Sequence, residues 1–442
     1  MKIIQINAVY GVGSTGHIVQ DIHEMLYAKG HESYIFWATA CANADNPAYF
    51  YRIGSQLDHK IHAALRRAGK DQGWHSKLAT KAACEKIKLL KPDVVHLHNL
   101  HSNYIHLPTL IQCLGEEKIN VLLTLHDCWY YTGYCTHYKK YGNCKRWCYG
   151  CSYCPAVSRM YQRRVEKIFK RKKDLFSRIE YLYCNGVSQW TTEDVRNSPL
   201  LNPREYTHIY NWINTDIFKP YTNRAEVCNR YDIPASKKIV LGVAQGWSGE
   251  KGVQEFRKLS NCLSKDAVVL LVGNRNGLQS DDNIKFVGYT KNQRELAELY
   301  AAADIFVNPS SFETFGLVTA EAMACGTPVA AYSNTGTAEL VTEACGVLVE
   351  NQNAEKLTQA VRHLLSCPKE DYSVECVENV ARNFEKYVQI DKYLSLYQKM
   401  AGHLRFRSLP PTCRFGNYDP QHRKSSPGIC TKCYQTYPGL LF

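Results

Sequence analysis

Short apolar runs alternate with amphipathic stretches along the chain, and the alternation occurs in two successive blocks. In the first block, residues 2–6, 33–37, 93–97, 121–125 and 181–185 are apolar runs of strand length. Between the first two, Ile18, Ile22 and Leu26 recur at helical spacing until Gly30 ends the pattern. The second block repeats the scheme, with strand-like runs at 238–243, 267–272, 284–287, 305–307, 328–331 and 347–349. Strands separated by helices predict parallel sheets covered on both faces. The expected fold class is α/β, with two Rossmann-like doubly wound domains facing across a cleft. Ligands in such sheets sit beyond the carboxyl ends of the strands.

The pattern breaks over 211–220, a polar connector closed by Pro220, so the expected domains are 1–210 and 211–382. Beyond them, Phe384, Tyr387, Val388, Tyr393, Leu394, Leu396 and Tyr397 recur as an apolar helix, expected over 383–403. Residues 404–442 are aperiodic and carry Cys413, Cys430 and Cys433; they read as a poorly ordered tail or a small thiol site.

Composition narrows the class. The chain has 442 residues, 45% apolar and 21% charged, which suits a soluble two-domain protein. No run of eighteen apolar residues occurs, and the first residues read as a strand rather than a signal peptide, so the expected location is cytoplasmic. The net charge of +13 fits nucleic acid, an anionic membrane surface or phosphorylated substrates. No aromatic platform or nucleic-acid module accompanies it, so no nucleic-acid partner is expected. Much of the charge crowds one expected helix, through Arg159, Arg163, Arg164, Lys167, Lys170, Arg171, Lys172, Lys173 and Arg178. Val165, Ile168, Phe169 and Phe176 share that helix. It fits peripheral contact with an anionic membrane, on the inner face, and equally a solvated face packed on a sheet edge.

The chain has 19 cysteines, of which Cys128, Cys135, Cys144, Cys148, Cys151 and Cys154 fall in one segment, 128–154. The Cys151/Cys154 spacing is that of a zinc knuckle, and Cys135 with Cys144 can complete a tetrahedral structural zinc site; disulfides and free thiols also fit the spacing.

The densest chemistry lies between Asn308 and Pro328. A strand there enters a loop with Glu313, and the helix after Gly316 carries Glu321 among Ala320, Ala322, Met323 and Ala324. Backbone N–H groups of Phe315, Gly316 and Leu317 at such a helix start favour a phosphate. A carboxylate in so apolar a setting suits a ribose diol, which offers two hydroxyl donors; a helix cap and a solvated face residue are the bland alternatives. Gly11, Gly13 and Gly16 follow the first strand and open a helix. Thr39 to Cys41 stand where a dinucleotide site needs an acid, so Gly13 and Gly16 read either as a close approach to a donor diphosphate or acceptor, or as a tight turn. His126 and Asp127 end the run 121–125 at the cleft mouth, where Asp127 reads as orienting His126 or capping the next segment. His126 can hold a sugar hydroxyl or serve structure alone. His96 and His98 share one strand face with no carboxylate or cysteine beside them, a poor metal site.

The segment from Glu313 to Glu321 resembles the E-x7-E signature of retaining GT-B glycosyltransferases of family 4. The resemblance is closest to bacterial capsule and exopolysaccharide enzymes. They share the Gly13–Gly16 loop, the His126–Cys135 segment and the knuckle Cys151–Cys154 followed by Pro155, and the likeness covers about 1–400. It implies that Glu313 and His126 contact the transferred sugar, Glu321 holds the nucleotide ribose, and Lys251 with the amides near Gly316 neutralises the diphosphate. His98 and Asn99 are similar to a segment that lines the acceptor side. The family's arginine partner to the lysine is absent, with Gln245 and Gly246 in its place; Arg275 or Trp247 is the expected substitute. It further implies an acceptor-side first domain, a donor-binding second domain and a terminal helix crossing back to the first. The implied reaction moves sugar from a nucleotide-sugar donor to a glycan or lipid-linked oligosaccharide, with retention, front-face attack and no required cofactor or metal. A nucleotide-sugar epimerase and a noncatalytic sugar-nucleotide-binding protein are the rival readings.

Overall fold

The computed structural model describes residues 1–42, 46–68, 72–137, 148, 162–263, 265–276 and 283–407. Two parallel sheets organise them. The first runs, edge to edge, Phe50–Arg52, Glu32–Trp37, Lys2–Ile6, Val94–Leu97, Asn120–Leu125, Leu182–Gly186 and Glu205–His208. The second runs Ile284–Val287, Ala267–Asn274, Lys238–Gly246, Ile305–Asn308, Val329–Ser333 and Gly346–Glu350. In both, the first strand of the unit lies inside, the chain winds outward one way, then returns to wind the other way. This leaves a switch point beside the first strand, and crevices at strand carboxyl ends form there.

The central strands are fully buried runs such as Val121, Leu122, Leu123 and Leu125, as strands covered on both faces should be. The outer strands Phe50–Arg52 and Glu205–His208 have no such signature, being half-buried or exposed. That is why an apolar pattern does not reveal them.

The stretch 211–220 is not the polar linker its composition suggests. Trp212, Ile213 and Phe218 are buried, the Trp212 indole donates to Asp21 Oδ2 at 2.7 Å, and Ile213 bridges to Glu385. From there the helix Lys386–Arg407 lies on the first domain. Ile390, Tyr393, Leu396, Tyr397 and Met400 pack with Ile3, Ile22, Val94 and Leu122. Lys386 pairs with Asp21 at 2.6 Å and Lys399 with Glu205 at 2.7 Å.

Of the two readings of the basic helix, Gln162–Phe176, its burial fits the one in which it packs on the protein. Val165, Ile168, Phe169 and Phe176 are buried, so its apolar face is spent on the protein interior. Lys172 is buried with them: its ammonium donates to the carbonyls of Trp129 and Thr132 and sits 3.7 Å from the Trp129 ring centroid. Burial pushes its pKa down to about 7, against the pull of Cys148, Asp127 and Cys135. Lys172 is thus an anchor for the 129–132 turn and not a surface cation. Lys167, Lys170, Lys173 and Arg178 stay exposed.

Candidate functional site

The second domain builds its half of the site where the strands Lys238–Gly246 and Ile305–Asn308 run side by side across the switch point. The loop after each comes forward with one charged side chain. Gly252 makes this possible: at φ +75° a Cβ would lie 2.2 Å from Pro309 Cγ, so only glycine lets the two loops meet. Lys251 Nζ then lies 2.6 Å from Glu313 Oε1. With 39% and 19% of these side chains exposed, the pair adds about 1 kcal/mol or less to stability. Its placement therefore asks for a reason other than stability.

The Glu313 loop is held from both sides. Glu313 N donates to Thr335 Oγ1 at 3.0 Å, and Gly336 N donates to Glu313 O at 2.9 Å. Thr314 Oγ1 donates across to the His126 carbonyl at 2.9 Å, while its own carbonyl accepts from Thr191. Phe312 is buried against Trp190 of the first domain, ring to ring at 5.4 Å. The next helix, Leu317–Ala324, starts at Gly316 in the left-handed region with no side-chain cap; Thr319 N–H is taken by the Gly316 carbonyl, so Leu317 and Val318 present the uncapped N–H groups. Phe315 contributes only backbone there, since its ring is buried against Tyr210 and Phe384.

Glu321 is half-buried and accepts from the Tyr300 hydroxyl at 2.9 Å. Burial raises its pKa to about 7, and the Tyr300 hydrogen bond only partly offsets this. A carboxyl held this way gains from hydroxyl donors. Tyr300, fully buried on the helix Gln293–Ala302, carries no motif and is legible only from the fold.

In the first domain His126 follows the strand Asn120–Leu125, half-buried. Its Nε2 lies 2.9 Å from His98 Nδ1, and burial drops its pKa to about 4. Asp127 does not orient it. That carboxylate takes His101 Nε2 at 2.8 Å and the Trp129 N–H at 2.8 Å; burial opposes its ionisation, but His101, the Trp129 N–H and His137 together outweigh burial and keep its pKa low. His98 is not a cleft residue either: it is fully buried behind His126, and Asn99 bonds through its N–H to Asn7. Both ring nitrogens of His96 are taken, by Tyr397 and Thr124, which leaves no metal ligand there.

The glycine loop divides in role. Gly13 begins the helix Gly13–Ala28 at φ +67° with open space around it, whereas Gly16 is buried against Val9 and the Gly11 N–H. Gly13 faces outward and Gly16 is packing. Neither expected substitute for the missing arginine reaches Lys251. Trp247 is buried on Phe256 with its indole N–H on the Val272 carbonyl, and Arg275 lies over Phe286. Of the proposed zinc ligands, Cys144, Cys151 and Cys154 lie outside the described residues. Cys135 is described, and among the described residues no group of three or more metal-ligating side chains gathers.

One interdomain contact had no sequence signal. Glu339 takes the N–H groups of Gln189 and Trp190 at 2.8 and 2.6 Å, capping the first-domain helix Gln189–Arg196 from the second domain.

Two doubly wound sheets, with loops meeting at facing switch points, define a GT-B protein. Residues 15–217 match the family described as Glycosyltransferase Family 4, and residues 237–367 match Glycosyl transferases group 1. The chain thus carries a glycosyltransferase family 4 domain followed by a group 1 domain. Among its relatives is the N,N'-diacetylbacillosaminyl-diphospho-undecaprenol alpha-1,3-N-acetylgalactosaminyltransferase of Campylobacter jejuni. It is 30% identical over 174 residues, 37% of this chain and 45% of that one. The putative colanic acid biosynthesis glycosyl transferase WcaC of Escherichia coli is 23% identical over 278 residues, 61% and 66% of the two chains. The match thus spans less than two thirds of either relative. Sucrose-phosphate synthase from Thermosynechococcus elongatus shares the fold at a TM-score of 0.66 and 19% identity, covering 91% and 99% of the chains. Anabaena HepE, in complex with UDP and glucose, does so at 0.64 and 15%, covering 90% and 100%.

Proposed function

We propose that this protein transfers a sugar from a nucleotide-sugar donor to a hydroxyl of a glycan or lipid-linked oligosaccharide, with retention, in bacterial surface polysaccharide assembly. The observation that carries the reading is the Lys251–Glu313 pair at the second switch point, joined through Thr314 to the His126 backbone of the first. Lys251 and the uncapped turn after Gly316 offset charge on the leaving diphosphate, as positioned donors do where charge develops. Glu313 and His126 hold the sugar, and Glu321 anchors the ribose. Front-face departure leaves the acceptor proton to the donor phosphate, so the protein supplies no nucleophile and no metal. Family membership and the names of the relatives support the polysaccharide setting.

The test is a thermal-shift and hydrolysis panel of UDP-, GDP- and ADP-sugars on wild type and Glu321→Ala. One nucleotide sugar should stabilise wild type more than the variant; if none does, the donor site is wrong. Release of free epimer from donor alone would favour an epimerase. The absent arginine keeps a noncatalytic sugar-nucleotide-binding role as a second reading, marked by binding without turnover.

No helix among the described residues is long and apolar enough to cross a membrane. Peripheral contact on the inner membrane face is proposed through Lys167, Lys170, Lys173 and Arg178 alone, since the apolar face of their helix is buried. It should vanish at high salt. A structural zinc on Cys135, Cys144, Cys151 and Cys154 is proposed from their spacing. Less than about half an equivalent of zinc in protein purified without chelator would remove it.

A further inference from the structure

We infer that Gln5 and His98 are positioning residues that hold the His126 ring with Nε2 protonated and Nδ1 bare, so that His126 offers the donor sugar a hydrogen-bond acceptor. This rests on the reading of His126 as a sugar contact. It assigns a task to buried groups that the proposed reaction does not use.

The proton can be followed inward from a carbonyl. Gln5 lies inside the first strand, fully buried, with its side-chain nitrogen 3.3 Å from the Val19 carbonyl. A carbonyl only accepts, so the amide end facing it is Nε2 and the other end is Oε1. That Oε1 lies 3.3 Å from His98 Nε2, which must therefore carry a proton. His98 is fully buried, and burial followed by its histidine neighbours holds its pKa well below the usual value. It is neutral and has one ring proton. His98 Nδ1 is then bare and can only accept, and the atom 2.9 Å away is His126 Nε2. His126 must donate through Nε2. With its own pKa near 4, its single proton is used, and Nδ1 is left as a lone pair.

The geometry leaves the column little freedom. The His98 ring lies 3.9 Å, centroid to centroid, from His96, which is fixed by Tyr397 and Thr124 at 2.7 Å each. The Tyr130 hydroxyl donates to the His98 carbonyl. His126 and His98 are stacked at 18°. The terminal helix, through Tyr397, is thus the far end of the column that reaches the cleft. A bare Nδ1 accepts from a hydroxyl or an amide N–H and repels a carboxylate, so the contacted position of the donor carries a hydrogen-bond donor.

The decisive measurement is ring-nitrogen NMR of the full chain labelled with 15N-histidine at pH 7, with the His126 signals identified by their loss in His126→Asn. A single tautomer protonated at Nε2 is expected. A proton on Nδ1, or exchange between both tautomers, overturns the inference. The matching variants are His98→Phe, which removes the acceptor, and His98→Gln, whose side-chain oxygen can replace it. His98→Phe should release His126 into tautomer exchange and lower kcat/KM about tenfold, the loss of one hydrogen bond. His98→Gln should recover most of it. Equal kcat/KM in wild type and His98→Phe also sinks the idea, and should His98→Phe fail to fold, Gln5→Met makes the same test one step further back. The spectrum needs no substrate, so failure of every nucleotide sugar to bind would overturn the proposed function and leave the tautomer result standing. Turnover with a proton on Nδ1 would do the reverse.

Discussion

The two walls of the cleft share a strand order yet are finished in opposite ways. In the first domain the switch point is closed by neutral groups hung from the interior, with His126 backed by His98, Gln5 and His96, the last three fully buried. The second domain uses charge on loops: Lys251 and Glu313 stand half-exposed, on backbone that Gly252 and Gly316 alone can follow. Buried histidines are kept neutral by desolvation, so the first wall works through hydrogen-bond direction. Charges near solvent keep their ionisation and steer an anion, at the cost of screening. One fold, used twice, is thus finished with buried hydrogen-bonding groups on one wall and with charges on the other.

The largest effect that can break this contrast is expected at Lys251. Lys251→Ala should lower kcat by about 10²–10³, the range for removing one donor to a developing negative charge. A loss of less than about tenfold would mean that the charged wall does not act on the leaving group. Next comes Glu321. Its pKa, near 7 in the folded protein against the usual 4.5, makes donor affinity rise as pH passes from 6 to 8, because the ionised carboxyl accepts from ribose. The same raised pKa makes stability fall as pH rises from 4.5 through about 7, since the folded state holds the proton more tightly. Titration calorimetry and thermal melts should show these opposite slopes, and Glu321→Gln should flatten both. Gly252→Ala should cost about 1–3 kcal/mol by chemical denaturation, from positive φ and the clash with Pro309, and should weaken donor binding by displacing Lys251. The smallest effect is expected on the neutral wall. Tyr397→Phe removes one hydroxyl from His96 and should cost about 1 kcal/mol of stability with little change in kcat. A kcat loss as large as that of Lys251→Ala would erase the distinction between the walls.

How much of this could be read in advance depended on burial. The inner strands are continuous apolar runs because both faces are covered, and 2–6 matches the observed strand to the residue; so does 284–287 at the edge of the second sheet. The edge strands of the first sheet, Phe50–Arg52 and Glu205–His208, carried no such run and were missed. In the site, Glu313 and Glu321 stood out because a carboxylate in a glycine loop or among alanines is anomalous along the chain, whereas Lys251 came only from the family resemblance. Tyr300, His98 and Glu339 did not, since each acts on a residue distant in sequence. Lys172 misled because its charge counted toward a surface patch while two carbonyls and an indole ring hold it inside.

The sequence by itself determined the two-sheet architecture and set the two carboxylates apart, because local periodicity and local composition encode them directly. Only the tertiary structure decided that Lys251 meets Glu313, that Asp127 serves His101 rather than His126, and that a helix near the end of the described chain braces the histidines at the cleft. Those facts follow from which strand ends lie side by side and which groups lose water together, and neither is a property of any single segment.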